Sequence, residues 1–364
     1  MVAITAAVTR GKDAPFVFEQ LELAEPRPDE LLVKLTSSGL CHTDLAMVQG
    51  EIPAPFPIVL GHEGAGIVEE VGSAVTGFQL GDRVAVSFAS CGHCSNCLSG
   101  KEAYCESFMA LNFGGVREDG STTITDGEGA TVHGSFFGQS SFATHALVAA
   151  RNAVKVPEGI DLDLTGPLGC GIQTGAGAVI NTLGVTAGAS IVISGTGAVG
   201  LAALMAAKAV GATTIIAVDV LAPRLETALE LGATHVVNGR EEDVVARVQE
   251  ITGGGADYAF DTTGIPPVIV NDLLALKMGG EIGLVAAGPE GAAIPVSAMT
   301  GKTVRSLIEG DSVPQVFIPH LIALYQRGVF PFDRLVTKYP FADIDRAIAD
   351  TQSGAAVKAV LTIA

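Results

Sequence analysis

The sequence has no tryptophan, few aromatic residues and few charged ones. Aromatic residues make up 5% of its 364 residues and charged residues 16%, and 39 acidic residues outnumber 21 lysines and arginines. The formal net charge of −18 argues against nucleic-acid binding, because an acidic surface repels phosphate backbones. Apolar residues make up 48% of the chain, which excludes a disordered or fibrous protein and supplies a large core.

Signal-peptide and membrane-span patterns are also missing. Residues 1–10 have neither the charged start nor the apolar stretch of a signal peptide. Residues 164–207 carry no charge, but glycine, threonine, asparagine and proline interrupt them too often for a transmembrane helix. We therefore expect a cytoplasmic protein that acts on a small molecule and binds neither membranes nor nucleic acids.

Two different patterns of apolar residues along the chain predict two domains of an α/β protein. Residues 1–171 contain short alternating segments between glycine-rich turns, for example 31–35 and 82–86, which are typical of a β-rich domain. Residues 172–308 alternate apolar strands with helical segments, which predicts a doubly wound parallel sheet. Residues 309–364 contain a further helix and a final strand.

A glycine-rich loop joins the predicted strand at 190–194 to the helix that follows it. Its G-x-G-x-x-G spacing is typical of dinucleotide binding at a helix N-terminus, and its residues are Gly195, Thr196, Gly197, Ala198, Val199 and Gly200. Asp219 ends the next predicted strand, where a carboxylate binds the ribose hydroxyls of NAD and repels the extra phosphate of NADP. The loop therefore predicts an NAD site, and the alternative is a structural glycine turn with a surface aspartate.

Four of the six cysteines lie close together in the sequence. Two, two and seven residues separate them in turn, and they are Cys91, Cys94, Cys97 and Cys105. Four thiolates complete the tetrahedral shell of a zinc ion and leave no position for a substrate, so this pattern predicts a structural zinc site. An iron–sulfur cluster and two local disulfides remain as alternatives.

The other two cysteines and one histidine lie far apart in the sequence. Cys41, His62 and Cys170 offer two thiolates and one imidazole, and Glu63 adds a carboxylate beside His62. Such a set leaves a fourth zinc position open for water or an alcohol, which is the arrangement of a catalytic zinc ion.

Taken in order, these motifs resemble those of the zinc-containing medium-chain alcohol dehydrogenases. The resemblance extends over nearly the whole chain, from the sequence GLCHTD at 39–44 and GHE at 61–63 to the glycine loop at 195–200. Segments 136–142, 309–317 and 328–333 resemble the aryl-alcohol (benzyl-alcohol) dehydrogenases more narrowly. The resemblance implies a GroES-like catalytic domain formed by residues 1–171 and 309–364, and a Rossmann domain formed by residues 172–308.

The resemblance also implies a role for each matching residue of the catalytic site. Cys41, His62 and Cys170 hold the catalytic zinc, and Glu63 is an exchanging ligand. Thr43 takes the proton of the alcohol, and Asp44 orients His62 by a hydrogen bond. Two zinc ions per chain, one catalytic and one structural, follow from this assignment.

Further residues are implied to contact the coenzyme. His42 and Lys358 fall where the family places cations against the pyrophosphate, and Arg224 falls beside the adenosine ribose. In well-known members, a histidine at the position of Ala46 is the last group of the proton relay. The relay of this chain must therefore end at the coenzyme ribose and water, or use another base.

The implied reaction is the reversible oxidation of primary aromatic or allylic alcohols to aldehydes with NAD, by a homodimer or homotetramer. The predicted substrate pocket contains Ile52, Phe88, Phe136 and Phe137, the last two on a predicted strand that returns from the cysteine lobe. The alternatives are an S-(hydroxymethyl)glutathione dehydrogenase, a polyol dehydrogenase, a general aliphatic alcohol dehydrogenase, or a non-enzymatic NAD-binding protein stabilised by zinc.

Overall fold

The computed structural model describes residues 1–364 and separates into two compact units. The first unit consists of Met1–Cys170, Val313–His320 and Leu335–Ala364, and the second of Gly171–Ser312 and Leu321–Arg334. Residues 321–334 thus group with the second unit, where Arg334 Nη2 lies 2.7 Å from Glu230 Oε2. None of the helices has the length and hydrophobicity needed to cross a bilayer.

The structure contains eighteen β-strands. They are β1 (Val2–Thr9), β2 (Val17–Leu23), β3 (Glu30–Gly39), β4 (Ile58–Val59), β5 (Gly64–Val71), β6 (Arg83–Val86), β7 (Ile124–Thr125), β8 (Thr131–Val132), β9 (His145–Ala149), β10 (Ala153–Lys155), β11 (Ser190–Ser194), β12 (Thr214–Asp219), β13 (His235–Asn238), β14 (Ala256–Asp261), β15 (Leu276–Leu284), β16 (Thr303–Ser306), β17 (Val336–Pro340) and β18 (Lys358–Thr362).

Ten α-helices lie between these strands. They are α1 (His42–Val48), α2 (Ser95–Leu98), α3 (Phe108–Phe113), α4 (Gly171–Gly177), α5 (Ala198–Ala209), α6 (Ala222–Leu231), α7 (Val244–Thr252), α8 (Pro266–Ala275), α9 (Pro314–Gln326) and α10 (Ile344–Ser353).

Two largely antiparallel sheets form the first unit. One has the strand order β4-β1-β2-β7-β8, and the other has the order β10-β6-β5-β3-β18-β17 with β9 also paired to β3. In β3, Leu31, Leu32 and Val33 are all buried, although the sequence predicts alternating exposure there. The difference arises because both faces of β3 are covered, as in any central strand with protein on each side.

The second unit contains a six-stranded sheet in which every pairing is parallel. Its strand order is β13-β12-β11-β14-β15-β16, which is the doubly wound order 3-2-1-4-5-6 of the Rossmann fold. The predicted α/β fold class is therefore confirmed. In such sheets ligands bind beyond the carboxyl ends of the strands where the strand order reverses, and the glycine loop follows β11 at that point.

The prediction that Phe136 and Phe137 lie on a strand is wrong. They begin a 3-10 turn, Phe136–Gly138, in which Phe137 has a left-handed backbone with φ 51°. The turn forms because the Ser140 hydroxyl accepts a hydrogen bond from the Phe136 amide at 2.9 Å and donates one to the Val59 carbonyl at 2.6 Å. Both phenylalanine rings are consequently buried in the core of the first unit.

Candidate functional site

Cys41, His62 and Cys170 come together in the first unit. Cys41 directly precedes α1, His62 lies between β4 and β5, and Cys170 directly follows the 3-10 turn Gly166–Gly169. Their ligand atoms all lie within 4.8 Å of one another. His62 Nε2 is buried and has no hydrogen-bond partner, which is costly unless another group binds it. Two thiols and an imidazole with a free nitrogen fit a zinc ion.

Asp44 fixes the orientation of this site and is completely buried. Its Oδ1 accepts hydrogen bonds from the Gly61 amide and from His62 Nδ1, both at 3.0 Å, and its Oδ2 accepts one from the Cys41 amide at 2.9 Å. Because Nδ1 of His62 is held in this way, Nε2 faces the two sulfur atoms. The predicted hydrogen bond between Asp44 and His62 is present.

The charges around the site favour a thiolate at Cys41. The hydrogen bond to Cys170, and then the positive charges of His62 and Lys358, lower the pKa of Cys41 well below its usual value. Burial would lower the pKa of His62, but Asp44 and Cys41 together raise it well above its usual value. A thiolate is the form of cysteine that binds a metal ion.

Glu63 and Lys358 form a buried ion pair beside this site. Lys358 Nζ lies 2.9 Å and 3.0 Å from the two carboxylate oxygens of Glu63 and donates to the Leu40 carbonyl at 3.1 Å. A Cβ atom on Gly39 would lie only 2.0 Å from Glu63 Oε2, so glycine is needed there. Lys358 thus faces Glu63, and its predicted contact with a pyrophosphate stays a prediction. Glu63 itself is not one of the three clustered groups.

The first turn of α1 carries the predicted proton acceptor. Thr43 Oγ1 lies 3.8 Å from Cys41 Sγ, while His42 is exposed and Ala46 is buried. The predicted roles of Thr43 in proton transfer and of His42 in coenzyme binding stay predictions.

Aromatic rings enclose the imidazole of His62. Phe137 stacks on it with a centroid distance of 4.4 Å, and Phe136 meets it edge-on at 5.3 Å. Phe113 lies 5.2 Å from Phe137, and Phe108 contacts both Phe137 and Phe88. The sequence reasoning missed Phe108 and Phe113, because α3 is short and follows a loop-like segment.

Ile52 is the aliphatic member of the predicted pocket. It is partly buried and packs against the apolar cluster that contains Phe88, Phe136 and Phe137. The four residues of the predicted substrate pocket therefore belong to one cluster, next to the candidate metal ligands.

The cysteine lobe brings its four sulfur atoms together, also within 4.8 Å of one another. Backbone amides donate to three of them: Cys91 to Cys105 Sγ at 3.3 Å, Cys94 to Cys91 Sγ at 3.4 Å, and Cys97 to Cys94 Sγ at 3.5 Å. Amides of Cys97 and Glu106 lower the pKa of Cys94 to about 6. All four cysteines are free thiols, which fits a zinc ion and not the disulfide alternative.

The three glycines of the loop at 195–200 meet three different requirements. Gly195 has φ 88°, and a Cβ there would lie 2.3 Å from Thr262 Oγ1. A Cβ on Gly200 would lie 1.9 Å from the Gly195 carbonyl oxygen, so the helix packs closely on the loop. Gly197 has open space around it and precedes α5 without a side-chain cap, which leaves the first helical amides of Ala198 and Val199 available to an anion.

Asp219 lies at the end of β12 and is almost buried. Its Oδ2 accepts hydrogen bonds from the Thr196 amide and hydroxyl at 2.8 and 2.7 Å, and its Oδ1 from the amides of Val220 and Leu221 at 2.7 and 3.0 Å. Burial would raise the pKa of Asp219, but these donors lower it. A ribose would have to share the carboxylate with them. Arg224 is half-buried in the first turn of α6.

Comparison with known proteins identifies the family. Residues 27–158 match the alcohol dehydrogenase GroES-like domain, and residues 198–326 match the zinc-binding dehydrogenase family. Geraniol dehydrogenase of Castellaniella defragrans is 46% identical over 365 residues, which cover 99% of this chain and 98% of that protein.

Two solved structures are similar over their full length. One is an alcohol dehydrogenase zinc-binding domain protein of Burkholderia ambifaria, with 51% identity, a TM-score of 0.97, and coverage of 100% of this chain and 99% of the other. The second is the benzyl alcohol dehydrogenase of Acinetobacter calcoaceticus, with 46% identity, a TM-score of 0.96 and complete coverage of both chains. The resemblance is thus confirmed, and the chain belongs to the zinc-containing medium-chain alcohol dehydrogenases.

Proposed function

We propose that this alcohol dehydrogenase oxidises primary alcohols with a flat aromatic or allylic group, using NAD. The observation that carries the proposal is the phenylalanine cluster around His62, which places apolar rings beside a candidate metal ligand. Similar proteins include a geraniol dehydrogenase and a benzyl alcohol dehydrogenase, and both names denote alcohols of this type. We assign one zinc ion to Cys41, His62 and Cys170, and a second to the cysteine lobe.

The residues of the first unit prepare the alcohol for oxidation. When bound, zinc supplies a Lewis acid that makes the hydroxyl of an alcohol more acidic, and NAD supplies the hydride acceptor. Thr43 accepts the released proton at Oγ1 and passes its own hydroxyl proton on toward water. Asp44 keeps His62 in one tautomer and one orientation through Nδ1. The rings of Phe136 and Phe137 keep water away from one side of His62.

The aromatic cluster also accounts for substrate choice. Contacts between aromatic rings are worth about 0.5–1.5 kcal/mol beyond burial, which corresponds to up to about tenfold in kcat/KM. The predicted pocket residues Ile52, Phe88, Phe136 and Phe137 carry no charge. Polyols and glutathione adducts would therefore leave polar groups unpaired among them.

A substrate panel tests this proposal. Steady-state kinetics with NAD should give the highest kcat/KM for benzyl alcohol, cinnamyl alcohol or geraniol, and lower values for ethanol, sorbitol and S-(hydroxymethyl)glutathione. Phe137→Leu should reduce the ratio of kcat/KM for benzyl alcohol to kcat/KM for ethanol. Phe330 is a buried phenylalanine of the second unit, and Phe330→Leu should leave that ratio unchanged. A highest kcat/KM for ethanol or the glutathione adduct would contradict the assignment.

Asp44→Asn is expected to weaken zinc binding at the catalytic site by about 10- to 100-fold, the usual cost of losing such a partner. The amide keeps the size of the side chain but cannot accept hydrogen bonds from Cys41, Gly61 and His62 all at once. Competition with a chelator measures the affinity. Asp82→Asn, at a partly exposed ion pair with Lys155, is the matched control. Equal zinc retention in both variants would show that Asp44 does not orient the ligand.

Asp219→Gly is expected to raise the KM for NAD about tenfold or more and to narrow the preference for NAD over NADP. The physical reason is that hydrogen bonds to a charged group are worth about 1.5–3 kcal/mol, and that the negative charge opposing a 2′-phosphate is removed. Initial rates with both coenzymes measure the effect, with Asp243→Ala at the start of α7 as a control. Equal kcat/KM for NAD and NADP in the wild type would contradict this role.

A further inference from the structure

Asp272 is a buried acidic residue that none of the predicted roles includes. It lies on α8 among Ile269, Leu273 and Ala275, which form the buried face of that helix. It is fully buried, and its Oδ1 accepts a hydrogen bond from the Ser194 hydroxyl at 2.7 Å. Its Oδ2 is buried without a hydrogen-bond partner. A charged carboxylate in this position would have a single donor to stabilise it.

The surroundings of Asp272 disfavour a negative charge. Asp261, at the end of β14, is a second carboxylate nearby. The pKa of Asp272 is raised well above its usual value, mainly by burial and further by the negative charge of Asp261. The Lys302 ammonium group donates to the Leu273 carbonyl and not to Asp272. The other charged groups on the elements that pack against α8 already have partners: Asp257 pairs with Lys277, Glu281 with Arg305 of β16, and Arg247 with Glu250.

Ser194, the partner of Asp272, is the last residue before the glycine loop. Its carbonyl accepts hydrogen bonds from the amide and the hydroxyl of Thr262 at 3.0 and 2.9 Å. The same hydroxyl donates to the Gly195 carbonyl at 3.1 Å. The main chain of Ser194 is thus bonded to Thr262, directly after β14, and its side chain to Asp272 on α8. The start of the loop is therefore fixed from two sides.

We propose that Asp272 is a positioning residue for the coenzyme loop, and that it holds the Ser194 hydroxyl as an uncharged carboxyl group. An uncharged group suits this place because it supplies the acceptor for Ser194 without burying a charge. The proposal rests on the proposed binding of NAD by the second unit. Asp272 acts through Ser194 and does not touch the coenzyme.

The first experiment tests the uncharged state without coenzyme. A carboxyl group with a raised pKa in the folded protein costs stability progressively as pH rises above its unfolded value of about 4. Asp272→Asn removes this cost and keeps the acceptor. Its Tm relative to the wild type should therefore increase steadily between about pH 5 and about pH 8. Asp243→Asn, an exposed cap on α7, should show no such increase. If the difference in Tm between Asp272→Asn and the wild type stayed constant over this pH range, the proposal that Asp272 is uncharged would be overturned.

The second experiment tests positioning, by titrating NADH fluorescence. Asp272→Asn should bind NADH within about twofold of the wild type, whereas Asp272→Leu and Ser194→Ala should each bind about three- to tenfold more weakly, the worth of one hydrogen bond. In kinetics the KM for NAD should rise while kcat stays unchanged. If Asp272→Leu misfolds, Ser194→Ala alone decides the matter.

The outcomes separate this proposal from the proposed function. Wild-type binding of NADH together with unaltered binding by Ser194→Ala would overturn the positioning role. A wild-type protein that binds no NADH would refute the proposed function, while the pH series on Asp272→Asn would still decide the state of the carboxyl group.

Discussion

Cys170→Ser is expected to abolish alcohol oxidation while leaving a folded protein that retains the zinc ion of the cysteine lobe. The variant removes one of the three clustered ligand atoms in the first unit. Lewis-acid catalysis by a metal is worth several kcal/mol, and each 1.4 kcal/mol is a factor of ten in rate. We therefore expect kcat/KM for benzyl alcohol to fall about a thousandfold or more.

Metal analysis and thermal unfolding complete this experiment. The zinc content should fall from two ions per chain to one, and the Tm should change little, because the ligands of the lobe are intact. Ser87→Ala, a buried hydroxyl that donates to the Gly169 carbonyl at 2.7 Å, is a matched control that keeps all ligand atoms. A single zinc ion in active wild-type enzyme would contradict the two-site assignment.

Cys97→Ser is expected to cause a large loss of thermal stability, in contrast to Cys170→Ser, which should leave the Tm nearly unchanged. The four thiols of the lobe lie on short elements, of which α2 has only four residues, so a metal ion is needed to hold them together. We expect the Tm to fall by about 10 °C or more, since each kcal/mol shifts the Tm of a large domain by about 2–4 °C.

Differential scanning calorimetry with and without a chelator measures this loss. The chelator should lower the Tm of the wild type and have a smaller effect on Cys97→Ser. Ser99→Ala, just after α2, changes the same lobe without touching a ligand and is the control. An unchanged Tm for Cys97→Ser would show that the lobe folds without its metal ion.

The sequence predicted those parts of the site that depend on short-range patterns. The spacing of the lobe cysteines and the glycine loop lie within single segments, and glycine positions such as Gly195 follow from backbone geometry that only this residue adopts easily. The strand 190–194 was predicted with its observed bounds because apolar runs before a glycine loop are distinctive.

Other features depend on contacts between distant segments and could not be predicted from local patterns. Lys358 and Glu63 are 295 positions apart, and no periodicity relates them. The turn at Phe137 depends on Ser140 bonding to Val59, which a local pattern cannot show. Asp272 is the one acidic residue in an apolar helix, where an exposed side chain would be the usual expectation. Only the packing of α8 against Ser194 shows that it is buried.

The strand order of the first unit has a consequence for synthesis on the ribosome. β18 pairs with β3 and also carries Lys358, so the seven-stranded sheet cannot close until residues 358–362 have left the exit tunnel. Until then the hydrogen-bonding edge of β3 that β18 later covers is unpaired, and Glu63 lacks its cation. A nascent chain stalled before residue 358 is therefore exposed to edge-to-edge aggregation.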